Sequence, residues 1–139
     1  MAALLRESRV SKPGKSFMNL QVLPQVFTVC QISDLSGVDF TREFVFVAKT
    51  DEEVSLVCET AFVPQNTLTR EDGWRAFRVQ GVLEFSLVGI LAELSGLLAT
   101  AGISIFAVST YNTDYLLTKA DVFDRALQLL ADAGYAILE

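Results

Sequence analysis

Apolar residues in the second half of the chain change period several times, and the changes predict its elements. Trp74 to Gln80 reads as a strand. Leu87, Val88, Ile90, Leu91, Leu94, Leu97, Leu98 and Ala101 then recur at helical spacing, with Ser86 as the expected N-cap and Gly102 as the stop. Ile103 to Thr110 and Tyr115 to Thr118 are apolar and β-branched and read as an antiparallel pair. A second helix starts near Asp121, sets Val122, Phe123, Ala126, Leu127, Leu130 and Ala133 on one side, and stops at Gly134 before a last short strand, Tyr135 to Leu138. The order βαββαβ, with helix ends that echo each other as "ATAGISI" and "ADAGYAI", predicts an α+β fold of ferredoxin-like type. Its expected form is a four-stranded antiparallel sheet with both helices on one face.

The first half is mostly strand. Phe17 to Leu23, Val26 to Ile32, Glu43 to Lys49 and Val54 to Cys58 all read as extended, separated by Pro24-Gln25, the Asp34-to-Asp39 loop and Thr50-Asp51-Glu52-Glu53. This half reads as a smaller, degenerate companion of the second, joined to it by the polar segment Pro64 to Gly73. The expected organisation is a basic tail over 1–15, an N-terminal module over 16–66 and a C-terminal module over 67–139.

Charge narrows the possible partners. The chain has 139 residues and a net charge of −6, yet Arg6, Arg9, Lys12 and Lys15 all precede residue 16. From residue 16 onward seven basic residues face sixteen acidic ones, a net of −9. Such a body repels nucleic acid and anionic membranes, so neither is expected as a partner. The basic start reads either as an electrostatic arm or as a solvated tail. The uncharged run Leu94 to Thr113 contains Gly96, Gly102 and Asn112 and changes period midway, which argues for a buried helix followed by a strand and against a membrane span. The apolar stretch Ala2 to Leu5 is too short for a secretory signal, so a cytoplasmic location is expected.

Candidate chemistry is sparse. The sequence has no His, and its two cysteines, Cys30 and Cys58, stand far apart at the ends of strand-like runs. No metal or other cofactor is expected, and both thiols read as reduced packing residues. Phosphate-binding glycine loops are absent, and no Ser or Cys nucleophile has a base announced by a motif. The chain therefore reads as a non-enzyme with no catalytic residues.

Binding has better candidates. Ser86, Leu87, Val88, Gly89 and Ile90 open a helix whose first N–H groups have no partner within the helix, which suits a carboxylate or phosphate. Gly89 would let a ligand approach the backbone. The polar knot Ser109-Thr110-Tyr111-Asn112-Thr113-Asp114 ends the next strand on the same sheet edge, so Asp114 offers a negative charge opposite the helix start. A zwitterion would satisfy both. The competing reading is a plain Ser cap beside ordinary turn chemistry, for which Asn and Asp are well suited.

The stretch "EFSLVGILAELSGLLATAGISIFAVSTYNTDYLLTKADVF" resembles the signature half of small bacterial tandem ACT-domain proteins and is similar to the ACT modules of the CASTOR family of cytosolic arginine sensors. The resemblance extends more weakly over "NLQVLPQVFTVCQI" and "TDEEVSLVC". It implies two ACT-like modules, the N-terminal one degenerate, that bind a small ligand, typically an amino acid, at an interface between modules. By position, Ser86 to Ile90 would wrap the ligand carboxylate, Thr110 and Tyr111 would line the pocket, and Asp114 would hold an ammonium or a basic side chain. Ser104 and Ile105 would form the other wall. Leu87 and Val88 depart from the polar and acidic residues beside the corresponding glycine of the arginine sensors, so a small or apolar amino acid suits the site at least as well as arginine. The implied protein is a regulatory homodimer acting on a partner protein the sequence does not identify. The alternative is a ligand-free interaction module on the same fold. An aspartate kinase, where ACT pairs are common, is excluded by size and by the missing phosphate-binding loop.

Overall fold

The computed structural model describes residues 18–80 and 89–139. Among these described residues, seven strands and two helices follow in the order β1 (Asn19–Ile32), β2 (Phe46–Lys49), β3 (Val54–Glu59), β4 (Thr67–Val79), α1 (Ile90–Thr100), β5 (Phe106–Ser109), β6 (Asp114–Lys119), α2 (Ala120–Asp132) and β7 (Ala136–Leu138). A short 3-10 turn, Thr60–Phe62, follows β3. Among the described residues, no helix is long and apolar enough to cross a membrane. The chain divides into two compact units: the described residues up to Pro24 together with Ala76–Glu139, and Gln25–Arg75. β1 and β4 contribute residues to both.

In the first unit the hydrogen-bonded neighbours run β7, β1, β4, β6, β5. β5 and β6 pair antiparallel, with Ser109 opposite Asp114, while β7 lies parallel to β1 through Asn19↔Ala136, Leu20↔Ile137 and Gln21↔Leu138. This corrects the expected four-stranded, wholly antiparallel sheet. Residues from the start of β1 occupy the place beside β4, where Gln80 N donates to Asn19 O at 2.8 Å, and so the last strand pairs with β1.

Alternation on these strands turns Leu20, Val22, Phe77, Val79 and Leu116 toward the helices. They share one core with Leu94 and Leu98 of α1 and Phe123, Ala126 and Leu130 of α2. The Phe77 and Phe123 rings lie 6.5 Å apart. Both helices therefore pack on one face, as expected. Their ends are also joined, since Tyr135 Oη donates to Glu93 Oε1 and Arg125 Nη2 donates to Ala101 O, each at 2.5 Å. Gly102 and Gly134, at φ +77° and +110°, end the two helices where the sequence places the stops.

The second unit has β2, β3, β1 and β4 as successive neighbours. β3 pairs antiparallel with both β1 and β2. Its core is Cys30, Ile32, Leu56 and Cys58, covered by Leu35, Val38, Val45, Val47, Val54 and Val63. The fully buried Thr28 hydroxyl donates to Asp72 Oδ1 at 2.7 Å and shares a 2.9 Å bond with Thr60 Oγ1. Two sequence expectations are revised. Pro24, exposed, does not divide the first strand, because a proline without an N–H is tolerated where no ladder bond is required of it. The polar segment after Pro64 is largely strand, and its side chains from Leu68 to Asp72 are exposed, so no apolar alternation betrays it.

Cys30 and Cys58 are free and buried. The register sets Thr28 opposite Cys58 and Cys30 opposite Leu56, so the two thiols are diagonal neighbours. Diagonal residues stand roughly 7–8 Å apart, beyond the span of a disulfide. Burial, and secondarily the neighbouring Cys30, pushes the Cys58 thiol up to about 11. A raised acid group favours the fold while protonated, so this contribution is whole below about pH 9 and is lost as the pH rises through about 11. Denaturant midpoints measured across pH 8 to 11 are expected to fall more steeply for the wild type than for Cys58→Ala; parallel slopes would refute the assignment.

Candidate functional site

Helix α1 begins differently from the sequence expectation. Its N-cap is Gly89 at φ +89°, with no side-chain cap, and the first turn closes through Glu93 N to Gly89 O at 2.8 Å. The helix thus starts at Ile90, and Ser86 is not its cap. Ser86, Leu87 and Val88 lie outside the described residues. Gly89 adopts a left-handed backbone that a side chain would disfavour, which explains glycine there without any ligand.

The polar knot is a tight hairpin turn between β5 and β6. Thr110 N donates to Thr113 O at 2.9 Å, and the Thr110 hydroxyl donates to the same carbonyl at 3.1 Å. The buried Thr113 hydroxyl donates to Val79 O at 2.6 Å, fastening the turn to the end of β4. Ser109 Oγ donates to Asp114 Oδ1 at 2.7 Å. Tyr111, at the tip, is 78% exposed. Asp114 keeps partial exposure beside its serine partner.

Ser104 and Ile105 lie elsewhere, after the C-terminal end of α1, where Ile103 N caps Leu98 O at 2.9 Å. Eleven helical residues, about 16 Å of rise, separate the start of α1 from that point. Of the ten sequence-derived positions, the seven that are described therefore do not all converge on one spot. Thr110, Tyr111 and Asp114 share the hairpin, Gly89 and Ile90 open the helix, and Ser104 and Ile105 form a wall at its far end.

That wall belongs to an open groove of about 650 Å³, lined by Ala92, Ser95, Gly96 and Ala99 of α1 and by Gly102 to Ile105. Sequence reading missed its helical side, although the signal was there: small residues at 92, 96 and 99 recur on one face. The groove carries no charge. Its hydroxyls on the helix are turned inward, with Ser95 Oγ donating to Leu91 O at 2.8 Å, and nearby Thr100 Oγ1 to Gly96 O at 2.9 Å. What it offers a ligand is shape, with polar backbone and exposed Ser104 beside the apolar surface of its alanines and Ile105. A second depression, in the other unit, has room for about one water molecule at roughly 10 Å³. Among the described residues, no group of three or more His, Cys, Asp or Glu is disposed to hold a metal ion.

Comparison with known proteins places this region. A family model described as ACT domain matches residues 69–132. Over 66 residues, 45% of this chain, the sequence is 38% identical to cytosolic arginine sensor for mTORC1 subunit 1 of Homo sapiens and of Bos taurus. The match spans 20% of the length of those curated relatives. Among solved structures, a protein from Agobacterium tumefaciens superposes with a TM-score of 0.77 at 32% identity, covering 87% of this chain and 92% of that one. The ligand-free regulatory subunit of aspartate kinase from Thermus thermophilus gives a TM-score of 0.59 at 10% identity over 82% and 95%, a likeness of fold alone.

The groove makes one position especially informative. A Cβ built on Gly96 meets nothing within 4 Å. Gly96→Ala is expected to raise the unfolding free energy by about 0.5–1 kcal/mol through helix propensity alone. A loss of stability on chemical denaturation would mean that the Gly96 face is packed against something.

Proposed function

We propose that the chain, whose residues 69–132 match an ACT-domain model, is a non-catalytic regulatory module of ACT type that binds an amino acid in the α1 groove. The uncharged groove of about 650 Å³ inside the family-matched region is the observation that carries this reading. A groove so open needs a second wall, and a second copy of the chain in a homodimer supplies it. The tandem organisation, 16–66 and 67–139, is part of the same proposal, as is a cytoplasmic location. The arginine-sensing relatives support an amino acid as ligand class.

The lining argues for a small or apolar side chain. A guanidinium placed among Ala92, Gly96, Ala99 and Ile105 would find no carboxylate in the lining to pair with. In a homodimer the N–H groups that begin the second copy's α1 suit the ligand carboxylate, and its Asp114 suits the ammonium, so one ligand need not span both ends of a single α1.

A second reading has its own support. The hairpin satisfies itself through Ser109–Asp114, Thr110–Thr113 and Thr113–Val79. Such a turn requires no ligand, which favours an interaction module that uses the groove only for a protein partner.

Thermal unfolding against a panel of amino acids separates the two. A ligand at a hundred times its dissociation constant adds about 2.7 kcal/mol, a rise of several degrees for a protein of this size. One aliphatic amino acid is expected to give that rise, Gly96→Leu to abolish it by filling the groove while the variant still unfolds cooperatively, and Asp114→Ala to weaken it. No shift for any amino acid, with a cooperative transition, would sink the sensor reading and leave the interaction module.

A further inference from the structure

The second unit holds a device that the groove does not involve. Between β1 and β2 the chain runs through residues 33–45, and the two halves of this connection are secured in different ways. The first half is bolted to the segment before β4. Asn66 Nδ2 donates to Ser33 Oγ at 3.0 Å and to Asp34 O at 3.2 Å, and Ser33 N donates to Asn66 O at 3.1 Å. Gly37 lies so close to Pro64 that a Cβ there would come within 2.8 Å of the proline Cβ.

The second half is held by side chains. The Arg42 guanidinium sits 3.6 Å above the Phe62 ring, on a surface where Phe62 remains 36% exposed. Phe44 packs edge-on against buried Phe27, ring centres 6.3 Å apart at 88°. To do so Phe44 takes φ +58°, a left-handed backbone unfavourable for so bulky a residue. Asp39 folds the segment on itself by accepting from Thr41 N and Thr41 Oγ1. Beneath lies the small cavity floored by Leu56 and Cys58 and closed by Val38, Arg42, Val45 and Phe62. A strained segment covers a space of about one water molecule, and beside the packing of Val38, Val45 and Phe44 an exposed stacking contact holds it there.

We propose that Asp39–Val45 is a lid hinged at the Gly37–Pro64 clamp, which opens as a unit when Arg42 leaves Phe62 and uncovers the Leu56–Cys58 floor. Opening relieves the Phe44 backbone and gives up the Phe27 contact, while β1, β3 and the Asn66 anchor stay in place. Local opening of this kind is a sub-global event, distinct from unfolding of the chain.

Cys58 reports on it. In a Cys30→Ala background, alkylation of Cys58 by iodoacetamide is followed at fixed pH from zero to moderate urea. The rate in buffer should exceed that set by global unfolding and should depend only weakly on urea. Arg42→Ala should accelerate it about two- to fivefold, the range expected for an exposed cation–π contact. Phe62→Leu, which retains the arginine and an apolar cover, should accelerate it similarly. A rate that tracks the global unfolding equilibrium at every urea concentration overturns the lid. Sub-global labelling that neither variant changes, after allowance for global stability, overturns the Arg42–Phe62 latch and with it the proposal.

Discussion

Leu94 and Leu98, one turn apart and without measurable exposure, anchor α1 against Phe77, Val79 and Leu116 of the sheet. Burying two leucines contributes on the order of 3–6 kcal/mol, more than any hydrogen bond at the helix ends. Once they are seated, the rotation of α1 is settled, and Ala92, Gly96 and Ala99 must face away from the core. α2 obeys the same rule with an ordinary outcome: Phe123, Ala126, Leu127 and Leu130 are buried, and Asp121, Asp124, Arg125 and Asp132 carry its outer charge. α1 has one charged residue in eleven, Glu93, and that carboxylate accepts from Tyr135. A helix with so little charge on its outer side is suited to being covered there, and this is why the groove, rather than the polar hairpin, carries the functional reading.

The hairpin shows how far polar composition can mislead. Its six polar residues invite a ligand on paper, because that many donors and acceptors exceed what a turn needs. In the folded chain most are spent on one another: serine on aspartate, threonine on threonine, and the buried Thr113 hydroxyl on the carbonyl of Val79. A buried hydroxyl without such a partner would be costly, so the turn's chemistry first serves the sheet. Of the six, Thr113 alone is buried and Asp114 half-buried, while Ser109, Thr110, Tyr111 and Asn112 remain exposed.

Much of the fold was legible from the period of apolar residues and from two glycines. The stops at Gly102 and Gly134, the buried leucines of α1 and the second helix follow from side chains whose burial repeats regularly. The start of α1 was misread because Leu87 and Val88 continue the helical period, whereas the backbone begins the helix after a left-handed Gly89, a conformational preference that apolar spacing does not record. The strand after Pro64 escaped notice because its exposed side chains are held by backbone pairing and polar bonds such as Thr28 to Asp72, and these leave no trace in hydrophobicity. The parallel pairing of β7 with β1 joins residues more than a hundred positions apart, a choice no local pattern encodes. For the candidate site the described carried-over positions lie on exposed or half-buried backbone, but the helical wall of the groove consists of alanine, serine and glycine, residues that draw attention only after the core has fixed the helix orientation.

The central claim is that the outer face of α1 is a binding surface for an amino acid. Amide chemical-shift mapping of the isotope-labelled protein during titration with an aliphatic amino acid tests it residue by residue. The account predicts saturable shifts concentrated at Ile90 to Ile105, with weaker ones at Asp114. Shifts absent at saturating concentration, or confined to the 33–45 connection and β2, would contradict it.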